Sequence, residues 1–128
     1  MCAVYAQYPF GTKEFFNAVE EYRYKKYAPW IPNAIGFNRY KDNKILEVGC
    51  GIGTDLIQFA RRGAGYVVGY DITPKSVKIT KNRFELYGLR LKGKFLIGDA
   101  ENLPFKDNCF DFVYSFGVFT THQIPKKR

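Results

Sequence analysis

Apolar and polar residues alternate along the chain in blocks that predict strands and helices in turn. Short apolar runs bounded by polar residues or glycines predict four strands, at about residues 44–48, 66–70, 93–97 and 110–115. Because strands that alternate with helices form βαβ units with right-handed crossovers, the pattern predicts an α/β fold built on a parallel sheet.

Apolar side chains at helical spacing predict three helices around these strands. The first helix begins at the capping residue Thr12 and runs to about Tyr27, and Pro29 and Pro32 then end it. The second and third helices cover about residues 55–62 and 74–87, and a glycine able to adopt a positive φ follows each of them. No internal repeat interrupts this order of elements.

Length and composition place the chain among globular proteins. Its 128 residues and 14.8 kDa correspond to one domain or part of one, with 46% hydrophobic and 25% charged residues. No apolar run approaches the roughly 18 residues of a membrane span, and the start lacks the pattern of a secretory signal. We therefore expect a cytoplasmic protein with no membrane partner. The three cysteines are too far apart to predict a disulfide framework or a metal site: Cys2, Cys50 and Cys109.

The chain is basic, with 20 Lys and Arg residues against 12 Asp and Glu residues and a formal net charge of +8. Such a charge can attract a nucleic acid, an anionic membrane surface or an acidic small molecule. Solvated helix faces have the same composition, and a binding surface requires clustering that the sequence does not show. We therefore regard nucleic acid as a possible but not a favoured partner.

A glycine-rich turn follows the first predicted strand and precedes a helix. Gly49, Gly51 and Gly53 allow a tight turn and a close approach of a ligand to the backbone. A dinucleotide fold has the spacing GxGxxG, whereas Thr54 stands here in place of the third glycine. Glu47 precedes the turn, and a carboxylate suits an ammonium or sulfonium group better than a pyrophosphate. The turn therefore predicts a small cationic ligand.

Carboxylates also stand near the ends of the next two predicted strands. Asp71 lies 18 residues after Gly53, at a position where a carboxylate can accept both hydroxyl hydrogens of a ribose. Asp99 ends the third strand. Because the carboxyl ends of parallel strands meet at one crevice, these groups predict a ligand that contains a nucleoside. The alternative is that both aspartates only cap helices or form turns.

Four motifs then occur in a fixed order: Glu47-x-Gly49-x-Gly51-x-Gly53, Asp71, the run GDAENLPF at residues 98–105 and the run FDFVYS at residues 110–115. This order resembles the class I S-adenosylmethionine-dependent methyltransferases, in particular the type 11 methyltransferase domains. The resemblance covers about residues 44–125, and residues 9–16 and 21–24 are similar to the start of some members. It implies a Rossmann-like, doubly wound parallel sheet with flanking helices and S-adenosyl-L-methionine as the cofactor.

The resemblance also implies a role for individual residues. Those expected at the methionine part of the cofactor are Glu47 at its amino group, the loop residues Gly49, Cys50, Gly51 and Gly53, and Ser115 and Phe116 at the methionyl end. Those expected at the adenosine part are Asp71 on the ribose, Ile72 on the adenine ring, and Asp99 and Ala100 on the adenine nitrogens.

The activity that the resemblance implies is transfer of a methyl group by direct displacement to a small-molecule acceptor. His122, the only histidine, stands near a place where relatives carry a histidine pair, so it is either a general base or an ordinary loop residue. No other catalytic residue is predicted. Two alternatives stay open, an NAD-type oxidoreductase and a non-catalytic module that binds cofactor or RNA, and so does the oligomeric state.

The chain divides into an aromatic helical segment at residues 1–40 and the expected cofactor-binding domain at residues 41–128. The aromatic residues of the first segment either pack in a core or cover a ligand. The family sheet has seven strands in the order 3-2-1-4-5-7-6, of which this sequence supplies four. We therefore expect a fragment of a longer protein, which can be inactive by itself, or a partner that completes the sheet.

Overall fold

The computed structural model describes residues 7–106 and 108–116. Four α-helices are present in this part, with the bounds α1 Lys13–Glu21, α2 Ile31–Ile35, α3 Thr54–Arg61 and α4 Pro74–Leu86. The four strands are β1 Lys44–Val48, β2 Tyr66–Asp71, β3 Gly93–Ile97 and β4 Phe112–Tyr114. Three short segments of other helical types complete the list, a π-helical one at Tyr22–Tyr27 and 3₁₀ turns at Phe37–Tyr40 and Arg90–Lys92.

The strands form one parallel sheet in the order β3-β2-β1-β4. Ile45 of β1 pairs with Val67 of β2 on one side and with Phe112 of β4 on the other. The predicted α/β class, the parallel pairing and the order of the first four strands are confirmed. The described residues between β3 and β4 pack on the face of the sheet opposite α3 and α4.

Strand β1 lies at the centre of the core. It has a neighbouring strand on each side, and the sheet is covered on both faces. One face packs under α3 and α4, with Ile45, Val67 and Phe84 fully buried. On the other face, Leu46 and Val48 pack against side chains of the connection between β3 and β4. A parallel strand buried on both faces has a continuous apolar run, which is why the short apolar blocks in the sequence predicted these strands well.

The segment before β1 packs on the same core. Phe37 stacks edge-on against Phe59 of α3, with ring centroids 4.9 Å apart. Phe15, Phe16 and Val19 of α1 are buried against side chains of the glycine-rich turn and of α4. This packing places α1 and the π-helical segment over the carboxyl end of β1.

Two predicted elements differ from the structure. The first helix has the predicted length but changes from α-helical to π-helical after Glu21. Pro32 was predicted to end a helix, yet it lies in the first turn of α2, where the missing N–H of a proline costs no hydrogen bond. The fourth strand is shorter than predicted, at three residues.

No helix in the described parts of the chain has both the length and the apolarity that crossing a bilayer requires.

Candidate functional site

The glycine-rich turn joins β1 to α3 through three residues in the left-handed region of backbone conformation. Gly49, Gly51 and Gly53 have φ values of 75°, 55° and 80°. A Cβ at Gly51 would meet no atom within 4 Å, so this part of the backbone faces open space. A Cβ at Gly53 would lie 2.8 Å from Cγ2 of Thr80, so the end of the turn is packed against α4. The hydroxyl of Thr80 also donates a hydrogen bond to the Gly51 carbonyl at 2.8 Å.

Two cavities open on either side of Gly49, at the carboxyl edge of the sheet. The larger has a volume of about 420 Å³ and lies between the turn and the segment that follows α1. The smaller has a volume of about 240 Å³ and lies between the ends of β2 and β3. Together they reach the size range of small-molecule and cofactor sites, about 300–1,000 Å³.

Asp71 and Asp99 both line the smaller cavity. Asp71 accepts one hydrogen bond from the backbone N–H of Gly51 at 3.3 Å and another from that of Thr73 at 3.0 Å. Asp99 accepts from the backbone N–H of Glu101 at 2.9 Å. These are turn contacts of the kind that the alternative interpretation predicted. A carboxylate has about four acceptor positions, so each aspartate retains capacity for a ligand.

Glu47 is the most unusual group of the larger cavity. Its side chain is buried on the central strand, and Oε1 has no hydrogen-bond partner among the described residues. Burial, and to a lesser degree the nearby carboxylate of Asp55, raise the pKa of Glu47 well above its usual value. A buried carboxyl oxygen without a partner costs stability unless a ligand satisfies it. The cavity therefore favours a ligand that carries a hydrogen-bond donor or a positive charge.

Aromatic side chains and one guanidinium form the outer wall of the larger cavity. Tyr22 and Tyr27 are stacked, with centroids 6.1 Å apart, and both line the cavity. Phe116 lies across from them, and the Arg23 guanidinium covers its ring at 4.6 Å. Trp30 contacts Phe116 from outside, at 5.8 Å between ring centroids.

Asp55, at the start of α3, joins three parts of this wall. Its Oδ1 accepts hydrogen bonds from Nε of Arg23 at 2.8 Å and from the hydroxyl of Tyr24 at 2.5 Å. Its Oδ2 accepts from Nη2 of Arg23 at 2.6 Å and from the hydroxyl of Tyr114 at 2.9 Å. Burial and the Asp55 charge raise the pKa of both tyrosines, which therefore stay protonated as donors.

A second buried cation fixes α1 to the turn. Arg83 of α4 is fully buried and donates to the Ile52 carbonyl, to the Thr54 hydroxyl at 2.8 Å and to Glu20 of α1 at 2.8 Å. Burial lowers the pKa of Arg83, and the Glu20 carboxylate opposes that effect. Arg61 pairs with the same carboxylate at 3.0 Å. The turn is therefore held from α1 as well as from α4.

The cysteines in the described residues are free thiols. Burial, and then the neighbouring charge of Glu47, raise the pKa of Cys50, so the thiolate needed for nucleophilic chemistry is disfavoured. Cys109 is exposed. Within residues 7–106 and 108–116 there is no group of three or more side chains able to hold a metal ion.

The structure brings most of the predicted site residues to these two cavities. Five of them line the larger cavity: Glu47, Gly49, Cys50, Gly51 and Phe116. Gly49 also lines the smaller cavity, together with Asp71, Ile72, Asp99 and Ala100. Ile72 is 67% exposed, which leaves its side chain free to contact a ligand. Gly53 and Ser115 line neither cavity. The buried hydroxyl of Ser115 has no hydrogen-bond partner within the described part of the chain.

His122 and Cys2 lie outside the described residues. Four residues of the outer wall were not predicted as site residues: Arg23, Tyr24, Asp55 and Tyr114. The three partners of Asp55 stand 32, 31 and 59 positions from it along the chain. A single arginine or tyrosine so far away along the chain forms no recognisable sequence motif with Asp55. The one available signal was Asp55 itself, an acid in the first turn of a helix that follows glycines.

Comparisons with known proteins agree with the motifs. A family described as "Methyltransferase domain" matches residues 45–128. Ajmaline N-methyltransferase from Rauvolfia serpentina is 37% identical over 87 residues, which are 68% of this chain and 30% of that protein. Phthiotriol/phenolphthiotriol dimycocerosates methyltransferase from Mycobacterium leprae is 42% identical over 84 residues, 64% of this chain and 28% of that protein. This chain thus spans about a third of the length of these curated relatives.

Solved structures show the same fold. A crystal structure from Methanococcus maripaludis, of a protein assigned as a candidate S-adenosyl-L-methionine-dependent methyltransferase, matches with a TM-score of 0.64 and 21% identity. The match covers 88% of this chain and 53% of that one. At this identity the likeness establishes the Rossmann-like architecture.

Proposed function

This chain belongs to the class I S-adenosylmethionine-dependent methyltransferases, and from that premise we propose that it binds S-adenosyl-L-methionine across both cavities and transfers its methyl group to a small-molecule acceptor. The single observation that carries the proposal is the pair of acids on either side of Gly49. Glu47 is buried in one cavity with its Oε1 unpartnered among the described residues, and Asp71 retains acceptor capacity in the other.

The larger cavity suits the amino-acid end of the cofactor. The unpartnered Oε1 of Glu47 is a natural acceptor for an ammonium group. The Arg23 guanidinium lines the same cavity, so a negative and a positive side chain are both available to a zwitterionic ligand. Gly51 supports this fit because any larger residue would place a Cβ in the open space beside the ligand.

The smaller cavity suits the adenosine end. Asp71 has the free acceptor positions that two ribose hydroxyls require. The exposed Ile72 side chain offers an apolar surface for the adenine ring, and the loop at Asp99 and Ala100 lies on the other side of the cavity. We assign adenine recognition to these residues.

The acceptor site belongs to the outer part of the larger cavity, between the aromatic segment at residues 1–40 and Phe116. The bound cofactor would supply an activated methyl group on a sulfonium, so the chain itself needs to hold and orient the acceptor. Tyr22, Tyr27 and Phe116 provide an aromatic wall against which an acceptor can pack. Both tyrosines that donate to Asp55 are held protonated, and Cys50 is a thiol, so we assign no general base among the described residues.

A small-molecule acceptor is supported by the relatives, two of which are named for the small molecules that they methylate. We expect the protein to act in the cytoplasm. Residues 41–128 are the proposed cofactor-binding domain, and the matched length of the relatives leaves room for further elements of the acceptor site.

The function is tested by incubating the chain with S-adenosyl-L-methionine and a panel of small amines, alcohols and thiols. Formation of S-adenosylhomocysteine that depends on the added acceptor is the expected result. Binding competition separates the alternative, since an NAD-type oxidoreductase would prefer NADH to S-adenosylhomocysteine. Preference for NADH would reject the proposal.

A further inference from the structure

The net charge of the protein is concentrated in one part of the fold. Residues 72–98 form α4, the following 3₁₀ turn and β3, and they contain seven of the 17 basic residues in the described chain but one of its 11 acidic residues. The remaining described residues carry ten basic and ten acidic side chains, so their formal charge is zero. Near neutral pH, the formal positive charge of the described protein thus comes from this one region.

This region forms one edge of the sheet. Within residues 7–106 and 108–116, strand β3 pairs with β2 alone, and α4 packs over both strands. Buried Val77, Thr80 and Phe84 face the sheet, so the exposed side of α4 presents Lys75, Lys78 and Lys81. At a rise of 1.5 Å per residue, these three lysines extend over about 9 Å of the helix.

Few acids neutralise the lysines. Arg83 is buried with Glu20, and exposed Arg90 pairs with Glu85 at 3.4 Å. Among the described residues, no carboxylate lies within ion-pair distance of Lys75, Lys78 or Lys81. Lys92 adds one further charge in the turn that follows α4. Lys94 lies on the opposite face of β3, because Phe95 packs against Phe84 of α4 and neighbouring side chains of a strand alternate between faces.

An exposed leucine stands among these charges. Leu91 is 89% exposed and lies between Arg90 and Lys92 in the 3₁₀ turn that follows α4. Leu86 at the end of α4 is 39% exposed. Single exposed leucines are common, but a protruding leucine flanked by cations matches the composition of surfaces that bind at a lipid interface.

We propose that this surface, defined by Lys75, Lys78, Lys81, Leu91 and Lys92, binds an anionic lipid bilayer. The lysines would lie among the lipid head groups and Leu91 would enter the interface. The structure provides a reason for a membrane partner that the sequence alone did not, because the clustering becomes visible only when the fold separates these charges from the rest. None of these five side chains lines either cavity, so the proposal is independent of the proposed methyl transfer.

RNA is the competing anionic partner, and the surface suits it less well. Proteins that bind single-stranded RNA stack bases on exposed aromatic rings, and no aromatic residue of 72–98 is classed as exposed. The unpaired cations are lysines, which lack the planar fork that arginine offers to phosphates and base edges. An exposed apolar side chain such as Leu91 has no charged or hydrogen-bonding group with which to contact a phosphate backbone.

The test is sedimentation of the full chain with phosphatidylcholine vesicles, with and without about a third phosphatidylserine. We expect binding to the anionic vesicles alone, which falls as salt is raised. Each lysine near an anionic surface raises the binding constant roughly fivefold. The triple change Lys75→Gln, Lys78→Gln and Lys81→Gln should therefore weaken binding about 100-fold. Its matched control changes three exposed lysines elsewhere to Gln, Lys26, Lys41 and Lys106, and should weaken binding far less.

The variant Leu91→Ser distinguishes a lipid surface from RNA as the partner. The change should weaken vesicle binding by roughly tenfold, since the leucine would no longer enter the interface, and should leave binding to a mixed RNA unchanged. Circular dichroism confirms that each variant is folded. Equal binding to neutral and anionic vesicles, equal losses in both triple variants, or tighter binding to RNA with no effect of Leu91→Ser would each overturn the proposal.

Discussion

The guanidinium of Arg23 meets the carboxylate of Asp55 through two parallel hydrogen bonds, 2.8 Å and 2.6 Å long. The acid is 2% exposed and the arginine 19%, so the pair is largely removed from water. Burial alone would lower the pKa of Arg23, but the Asp55 charge and hydrogen bond raise it above its usual value. The pair connects the segment after α1 with α3, and the two residues together form part of the wall of the larger cavity.

Asp55→Asn should destabilise the fold by about 3 kcal/mol, because it leaves a partly buried guanidinium without its counter-charge. Urea unfolding measures this loss. Glu85→Gln is the matched control, since it removes an acid from the exposed pair with Arg90 and should cost less than about 1 kcal/mol. Similar losses in both variants would show that the Asp55 contacts contribute no more than a surface ion pair.

Glu47→Gln should stabilise the ligand-free chain increasingly as pH rises. The folded-state pKa of Glu47 is raised, so the folded chain holds this proton more tightly than the unfolded chain does. The stability associated with neutral Glu47 is therefore present below the ordinary glutamate pKa of about 4.3 and is lost as pH rises through the raised value. Urea titrations of both proteins at several pH values measure the difference, and a constant difference would contradict the buried state of Glu47.

Asp71→Ala and Glu47→Gln should affect different parts of the ligand. Loss of Asp71 removes charge-assisted hydrogen bonds to the ribose and should weaken both S-adenosylhomocysteine and methylthioadenosine, by roughly 10- to 100-fold. Glu47→Gln should weaken S-adenosylhomocysteine alone, since methylthioadenosine has no amino group. Fluorescence or calorimetric titration with the two ligands gives the four affinities. If Asp71→Ala leaves both unchanged, the ribose assignment is wrong.

Gly53→Ala should destabilise the chain by more than about 1 kcal/mol, because its φ is 80° and the new Cβ would lie 2.8 Å from the Thr80 methyl group. Thr80→Ser removes that methyl group and keeps the hydroxyl that donates to Gly51. The alanine should therefore cost less in the Thr80→Ser background than in the natural one. A double-mutant cycle in urea measures this coupling, and additive losses would show that the two residues are not in close contact.

Much of the fold followed from local patterns in the sequence. The apolar runs of β1, β2 and β3 were clear because these strands are short and are bounded by glycines or polar residues. The turn between β1 and α3 was equally clear, because its positive φ values require glycine at 49, 51 and 53. These are properties of neighbouring residues, so one sequence is enough to predict them.

The rest depended on contacts between distant residues. Nothing in the run Tyr22–Tyr27 distinguishes a π-helix from an α-helix, and the Asp55 cluster joins residues up to 59 positions apart. The concentration of positive charge at the edge of the sheet is likewise a consequence of folding. Sequence patterns predicted the candidate ligand-binding residues. The structure added the aromatic and charged side chains that form the outer wall of the larger cavity.

The central claim is that Glu47 and Asp71 bind opposite ends of one cofactor across Gly49. Isothermal titration calorimetry of the folded chain with S-adenosylhomocysteine tests it most directly, run at one pH in two buffers of different ionisation enthalpy. The account predicts one ligand per chain and release of a proton that Glu47→Gln abolishes, since the ligand ammonium favours the ionised carboxyl. Absence of binding heat with both S-adenosylhomocysteine and S-adenosyl-L-methionine would contradict the account.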